Sequence, residues 1–145
     1  PLSSAFVRTA YNARSLVGPN ERAAFTWLHE HVAPGGRVLN QFSDDSAWMA
    51  TLAGVQPLFA LYPDALGDPQ RTWGDRWYLL THATSLATDV RAQRAARAWN
   101  VRYVYVGDAV FTHQPRYLSV AALAGSAAYR LVWHEPGVSI FKVVG

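Results

Sequence analysis

The sequence predicts an α/β fold, a three-layer sandwich whose mainly parallel sheet carries helices on both faces and ends in an antiparallel hairpin. Two observations lead to this prediction. Helical and strand patterns alternate along the chain, which favours a parallel sheet covered by helices. The last two strand patterns, Tyr129–His134 and Val138–Val143, flank Glu135-Pro136-Gly137, a turn sequence typical of a hairpin.

The first helix is expected to begin at Pro19-Asn20-Glu21, because the asparagine can cap free backbone N–H groups and the glutamate favours the positive helix end. Pro34-Gly35-Gly36 would end this helix. Residues 1–18 before it are only weakly periodic, and we interpret them as a linker or entry segment. Residues 19–145 are then expected to form a single α/β domain.

Strands and helices follow one another from there. Arg37–Gln41 is a short apolar strand, after which Ser43, Asp44 and Asp45 offer caps for a helix through Leu52. No glycine-rich phosphate loop follows this strand, so the Rossmann-like arrangement does not predict a bound nucleotide. The other predicted elements are a strand at Val55–Ala60, a helical pattern from Trp73 to Thr84, a helix at Val90–Trp99 capped by Asp89, a strong strand at Val101–Val106 and a helix at Tyr117–Ala124.

The composition limits the classes of function. Half of the 145 residues are hydrophobic and only 16% are charged, against about 25% in average domains, which suggests that part of the surface is covered in a larger protein. The net charge of +3 comes from scattered arginines, so nucleic acid is not an expected partner. The absence of cysteine excludes disulfides and thiolate metal sites. We expect no cofactor and no metal.

Four stretches resemble a known family. They are Glu21–Val38, Asp44–Phe59, Val101–Gly107 and the C-terminal hairpin, and together they cover nearly all of the chain after Pro19. In these stretches the sequence is similar to the soluble C-terminal domains of actinobacterial polytopic membrane proteins, some of them related to GT-C glycosyltransferases that use lipid-linked sugars.

The resemblance implies a location and a set of partners. The domain would lie on the extracytoplasmic side of the cell membrane, next to the membrane-embedded portion of the same polypeptide, with a cell-envelope glycan or lipid-linked sugar as a further partner. In GT-C enzymes the catalytic acidic residue sits in the membrane portion. The resemblance therefore implies that this domain is not catalytic alone.

Carboxylates follow two of the predicted strands. Asp44 and Asp45 come after the first strand and Asp108 after the Val101–Val106 strand, so they are expected at the carboxyl edge of the sheet, where ligands bind in such folds. There they could hold sugar hydroxyls or a divalent cation, and His113 lies in the same loop as Asp108. The alternative is that these aspartates only cap a helix or end a strand.

An aromatic segment is the second candidate site. Trp73 and Trp77 stand beside arginines, a mixture that suits a sugar-stacking platform or a membrane interface. The loop before them carries Tyr62 and Asp64, and loops of this length often carry function. Ordinary core packing of the two tryptophans is the alternative.

Two functions follow from these observations. The first is a non-catalytic accessory domain of a membrane glycosyltransferase-like protein, which packs on the membrane portion or binds glycan. The alternative is a small hydrolase or metal-dependent enzyme that uses Asp44, Asp45, Asp108 and His113, which would require these side chains within hydrogen-bonding reach of one another.

Overall fold

The computed structural model describes residues 17–60, 68–108 and 115–144. Three of the predicted site residues, Tyr62, Asp64 and His113, lie outside the described residues, as does most of the predicted entry segment. In chain order the described elements are α1 (Pro19–His31), β1 (Arg37–Leu39), a 3₁₀ turn (Ser46–Trp48), α2 (Met49–Ala53), β2 (Gln56–Pro57), α3 (Pro69–Trp73), α4 (Asp75–Thr81), a second 3₁₀ turn (Ala83–Ser85), α5 (Val90–Ala98), β3 (Val101–Gly107), α6 (Val120–Ala124), β4 (Tyr129–Glu135) and β5 (Val138–Val143).

The five strands form one mixed sheet in the order β2-β1-β3-β5-β4. The pairings of β1 with β2 and with β3 are parallel, whereas β5 pairs antiparallel with both β3 and β4. The α/β class and the C-terminal antiparallel strands are therefore confirmed. The mainly parallel, Rossmann-like three-layer sandwich is not confirmed, because β5 inserts between β3 and β4 and makes half of the pairings antiparallel.

Buried apolar side chains form two clusters, and neighbouring residues of β3 belong to different ones. Val104 and Val106 join the cluster that contains side chains of α3 to α6, whereas Tyr103 and Tyr105 join the cluster that contains Phe25 of α1. Since successive side chains of a strand point to opposite faces, the two clusters lie on opposite faces of the sheet.

The helix ends differ from the sequence predictions in two places. Asn20 does not cap α1, because Gly18 occupies that position and the Asn20 amide instead donates to the carbonyl of Pro136 in the β4–β5 turn. The predicted Trp73–Thr84 helix is split at Gly74, whose positive φ of 54° ends α3. Asp89 does cap α5, with its carboxylate accepting from the Ala92 N–H.

The first two strands are shorter than predicted, three and two residues long. Beyond the ends of β1 and β2, a side chain supplies the hydrogen bonds between the two segments. The buried Asn40 amide donates to the carbonyl of Phe59 (2.8 Å) and accepts from its N–H (2.9 Å). In the described part of the chain, no helix is long and apolar enough to cross a membrane.

Candidate ligand-binding site at the carboxyl edge of the sheet

The segment that follows β1 at the carboxyl edge of the sheet is polar and buried. Its buried polar side chains are those of Asn40, Gln41, Ser43, Asp44, Asp45 and Ser46. A buried polar group is costly unless it is hydrogen-bonded, so each of these side chains needs a partner. The Gln41 amide oxygen has two, because it accepts from the N–H groups of Tyr117 and Leu118 (both 3.0 Å) and so holds the segment before α6.

Asp44 connects β1 to the end of β3. One carboxylate oxygen accepts from the Ser46 N–H (3.0 Å), and the other accepts from the Gly107 N–H (3.0 Å) and the Gln41 amide (3.3 Å). Burial raises the pKa of Asp44 above its ordinary value, and these hydrogen bonds oppose the rise. Because both oxygens are occupied by donors from the chain itself, Asp44 has a structural role in this loop.

Asp45 is the carboxylate with a free acceptor. Its Oδ1 accepts from the Tyr105 hydroxyl (3.1 Å), but its Oδ2 is buried without a hydrogen-bond partner. Burial raises the pKa of Asp45 to about 7, with further contributions from the charges of Asp44 and Glu21. A carboxyl group in this state is neutral below pH 7 and can accept a hydrogen bond from a ligand or donate one to it.

Gly107 allows the backbone to approach both carboxyl groups. A Cβ at this position would lie 3.0 Å from a ring carbon of Tyr105 and 3.3 Å from both the Asp44 Cβ and the Asp45 Oδ1. These distances are too short for an unshifted side chain, so glycine is the residue that fits between the two aspartates and Tyr105. A Ser43 hydroxyl, buried and also without a partner, belongs to the same loop.

Asp108 is exposed and lies beside the hairpin turn. A Cβ at Gly137 would lie 2.5 Å from its Oδ2, which shows that Asp108 faces the β4–β5 turn. The structure thus brings Asp44 and Asp45 together around Gly107, with Asp108 on the hairpin side of that glycine. Over residues 17–60, 68–108 and 115–144, no three His, Cys, Asp or Glu side chains are grouped so that they could hold a metal ion.

Trp73 and Trp77 lie against the aromatic part of the core. Trp73 is buried and contacts Phe59 edge-on at a centroid distance of 5.3 Å, and the half-buried Trp77 contacts Tyr117 in the same way at 5.1 Å. The guanidinium group of Arg76 lies over the Trp73 ring, 4.7 Å from its centroid, so one face of this ring is not free to stack on a sugar.

The sequence analysis did not identify Tyr105, Gln41 or Glu21 as parts of this site. Strand alternation could have identified Tyr105 as part of the site. It points to the opposite face of the sheet from Val104 and to the same face as Gly107, which lies two residues later. The role of Gln41 depends on a partner 76 residues later, for which the sequence contains no local signal.

A solved structure has the same fold. The C-terminal globular domain of oligosaccharyltransferase from Archaeoglobus fulgidus is similar over 88% of this chain and 98% of that chain, with a TM-score of 0.55 and 17% sequence identity. That likeness shows the fold of the domain. No curated protein matches the sequence significantly. The model of a family of unknown function, DUF6541, matches residues 2–145, and the chain therefore belongs to this family.

Proposed function

We propose that this chain is a non-catalytic accessory domain of a larger, GT-C-like membrane glycosyltransferase protein. The observation that carries the proposal is the agreement of the fold along almost the whole of both chains with a globular domain of an oligosaccharyltransferase. The agreement includes nearly all of the other domain, so the similarity concerns a complete folding unit and not a shared motif. The domain would stand on the extracytoplasmic side and contact the membrane-embedded portion of the same polypeptide.

The chemistry of the carboxyl edge supports a binding role. Asp45 offers one buried oxygen without a partner, and a hydroxyl group of a cell-envelope glycan or of a lipid-linked sugar is a donor that fits it. Asp44 supports a non-catalytic role, because its two oxygens already accept from backbone N–H groups. The hydrolase interpretation stays a prediction. Among the described residues, the hydrogen-bond partner of Asp45 is the hydroxyl of Tyr105, and burial raises the pKa of this hydroxyl above its ordinary value, so that it is not a base for Asp45.

The test compares the parent polypeptide with a variant that lacks residues 19–145. Sugar transfer from a lipid-linked donor is measured in membranes, and the separately expressed chain is tested for co-purification with the membrane portion. We expect the isolated chain to show no transfer, the truncated parent to transfer more slowly, and the two parts to associate. A parent without membrane spans, or normal transfer after truncation together with no association, would refute the accessory role.

Glycan binding is tested separately on an array of cell-envelope glycans. Asp45→Asn replaces the carboxyl group with an amide of the same shape, and Glu30→Gln makes the same change at an exposed position of α1. We expect binding to weaken by about 10-fold in Asp45→Asn, as for the loss of one hydrogen bond in a buried site, and to be unchanged in Glu30→Gln. Equal binding by both variants would exclude Asp45 as the contact.

A further inference from the structure

A pocket opens at the amino edge of the sheet, the end opposite Asp44 and Gly107. It has a volume of about 690 Å³ and lies between the end of α5, the start of β3, the end of β5 and the turn before β4. A pocket of this size is in the range that holds a small organic ligand. We call it the amino-edge pocket and define it by Leu86, Ala96, Arg97, Val101, Arg102 and Val143, which line it.

The amino-edge pocket combines an apolar wall with cations. Leu86, Val101 and Ala96 are buried and supply apolar surface, whereas the side chains of Arg97 and Arg102 are exposed. None of the residues that line the pocket carries a carboxylate. Arg97 has no ion-pair partner among the described residues. Among the described residues that line the pocket, the charged side chains are thus both cationic, and an anion that entered it would be attracted by them.

The polar groups of the wall are held in place. Asn100 adopts a positive φ of 52°, an uncommon conformation that asparagine tolerates better than most residues. Its side-chain oxygen accepts from the Arg102 Nε (2.8 Å), which fixes one edge of that guanidinium group and leaves its terminal nitrogens to a ligand. At the end of α5, the carbonyls of Ala95 and Arg97 accept from the N–H groups of Trp99 and Asn100, which fixes the backbone on this side of the pocket.

We propose that the amino-edge pocket binds an anionic amphiphile, a molecule with a phosphate or carboxylate group for Arg97 and Arg102 and an apolar part for the wall. Arginine is suited to both oxyanions because its planar guanidinium group can donate two parallel hydrogen bonds. The inference does not depend on the proposed function, since it concerns the other end of the sheet. The ligand could be the headgroup of a membrane lipid or a free molecule, and the two share this chemistry.

The first experiment uses the 145-residue chain and decyl phosphate below its critical micelle concentration, with binding followed by ¹H–¹⁵N chemical shifts. We expect shifts to concentrate on residues of the amino-edge pocket. Arg97→Gln should weaken binding by about 10-fold, the loss of one charge-assisted hydrogen bond. Arg94→Gln is the matched control, because it removes the same charge from an exposed position of α5 that does not line the pocket.

A second pair of variants tests the apolar wall without relying on charge. Ala127→Trp places a large ring on an exposed residue that lines the pocket and should block binding, whereas Ala121→Trp makes the same change on an exposed residue of α6 outside the pocket. Unchanged thermal unfolding of these variants shows that they still fold. No binding of decyl phosphate at millimolar concentration, or equal binding by Ala127→Trp and Ala121→Trp, would overturn the proposal.

Vesicles of phosphatidylcholine with and without phosphatidylglycerol distinguish the two sources of the ligand. If anionic vesicles compete with decyl phosphate, and Arg97→Gln weakens the binding of both, the ligand is a lipid headgroup. If decyl phosphate binds and the vesicles do not, the ligand is a free amphiphile. Both results support the pocket. If only vesicles bind, and Arg94→Gln weakens that binding as much as Arg97→Gln, the attraction is spread over the surface and the proposal is wrong.

Discussion

The carboxyl edge and the amino edge of the same sheet hold their charged side chains in different environments. At the carboxyl edge, Asp44 and Asp45 are buried and are held by backbone N–H groups and a tyrosine hydroxyl, and neither forms an ion pair with a cation among the described residues. At the amino edge, Arg97 and Arg102 remain exposed to solvent. Burial without a counter-charge costs free energy, and exposure does not, so charge at the two edges has different consequences for stability.

Arginines that lie nearer the core use aromatic faces as partners. The guanidinium group of Arg76 lies 4.7 Å from the ring of Trp73 and 4.3 Å from that of Trp99, and Arg37 lies 5.6 Å from Trp99. Burial lowers the pKa of Arg76, and the charge of Arg37 adds to this effect. Cations can thus be accommodated by stacking, whereas the aspartates at the opposite edge depend on hydrogen bonds with fixed geometry.

The largest effect is expected from Asp44→Ala. This change leaves the buried N–H groups of Gly107 and Ser46 without an acceptor, and each such group costs roughly 1–3 kcal/mol. We expect the free energy of unfolding to fall by about 3–5 kcal/mol. Urea denaturation measures it, with Glu30→Ala on the exposed face of α1 as the control. A loss below about 1 kcal/mol would mean that the carboxyl edge is not held as described.

The pH dependence of stability should follow Asp45. Below pH 3.8 its carboxyl group is protonated in both the folded and the unfolded chain. Between pH 3.8 and about 7 the unfolded chain releases the proton while the folded chain keeps it, so stability falls as pH rises. The total loss is at most about 4 kcal/mol. Asp44, whose pKa is also raised by burial, changes stability in the same direction.

Asp45→Asn separates the contribution of Asp45 from that of Asp44. The amide does not ionise, so this variant should gain stability relative to the wild-type chain as pH rises from 4 to 8, and its own stability should fall less steeply. Thermal unfolding at a series of pH values measures both quantities. A difference between the two chains that stays constant over this range would show that Asp45 ionises normally in the folded state.

A smaller effect is expected from Tyr105→Phe. The hydroxyl donates to Asp45, and its removal should cost about 1–2 kcal/mol while raising the pKa of Asp45 further, because the hydrogen bond favours the charged carboxylate. Tyr129→Phe is the matched control, since that buried hydroxyl donates to the uncharged carbonyl of Ala83. Only Tyr105→Phe should alter the dependence of stability on pH. An equal change in both variants would contradict the link to Asp45.

The smallest effect is expected at the amino edge. Arg97→Ala should change the free energy of unfolding by no more than about 0.5 kcal/mol, because the side chain is exposed and has no ion-pair partner among the described residues. Arg94→Ala on the same helix should behave alike. A loss of several kcal/mol in Arg97→Ala, measured by urea denaturation, would show that cations at this edge also support the fold, and the contrast between the two edges would disappear.

Local patterns were sufficient to predict the strong elements of the fold. The β-branched and aromatic content of Val101–Val106, the cap at Asp89 and the turn at Glu135-Pro136-Gly137 each depend on a few neighbouring residues, and all three predictions agree with the structure. The sheet order could not be predicted in this way. The position of β5 between β3 and β4 is decided by long-range pairing, and the mainly parallel arrangement expected from the sequence is not confirmed.

The location of Asp44 and Asp45 in the fold was predicted, but their contacts were not. Asp44 and Asp45 lie at the carboxyl edge as expected from the end of the first strand. The sequence could not show that Asp44 binds the Gly107 N–H 63 residues later, nor that Asp45 retains a free oxygen. These properties arise from burial and from partners brought together by the sheet. The contacts of Asp108 could not be predicted for the same reason, because Gly137 belongs to the hairpin.

The side chain of Asn40 has a consequence for how this sheet could change. Its amide presents one donor and one acceptor to Phe59, as a peptide group of a neighbouring strand would, and the same NH₂ group also donates to the Ser46 hydroxyl. Replacement of that nitrogen by oxygen, as in aspartate, would place one acceptor against another, the new carboxylate oxygen against the Phe59 carbonyl, and would also remove the hydrogen bond to Ser46. Deamidation of Asn40 would therefore weaken the attachment of the residues that follow β2, whereas β2 itself would still be paired with β1 through its backbone, including the hydrogen bond from the Leu58 N–H to the Val38 carbonyl.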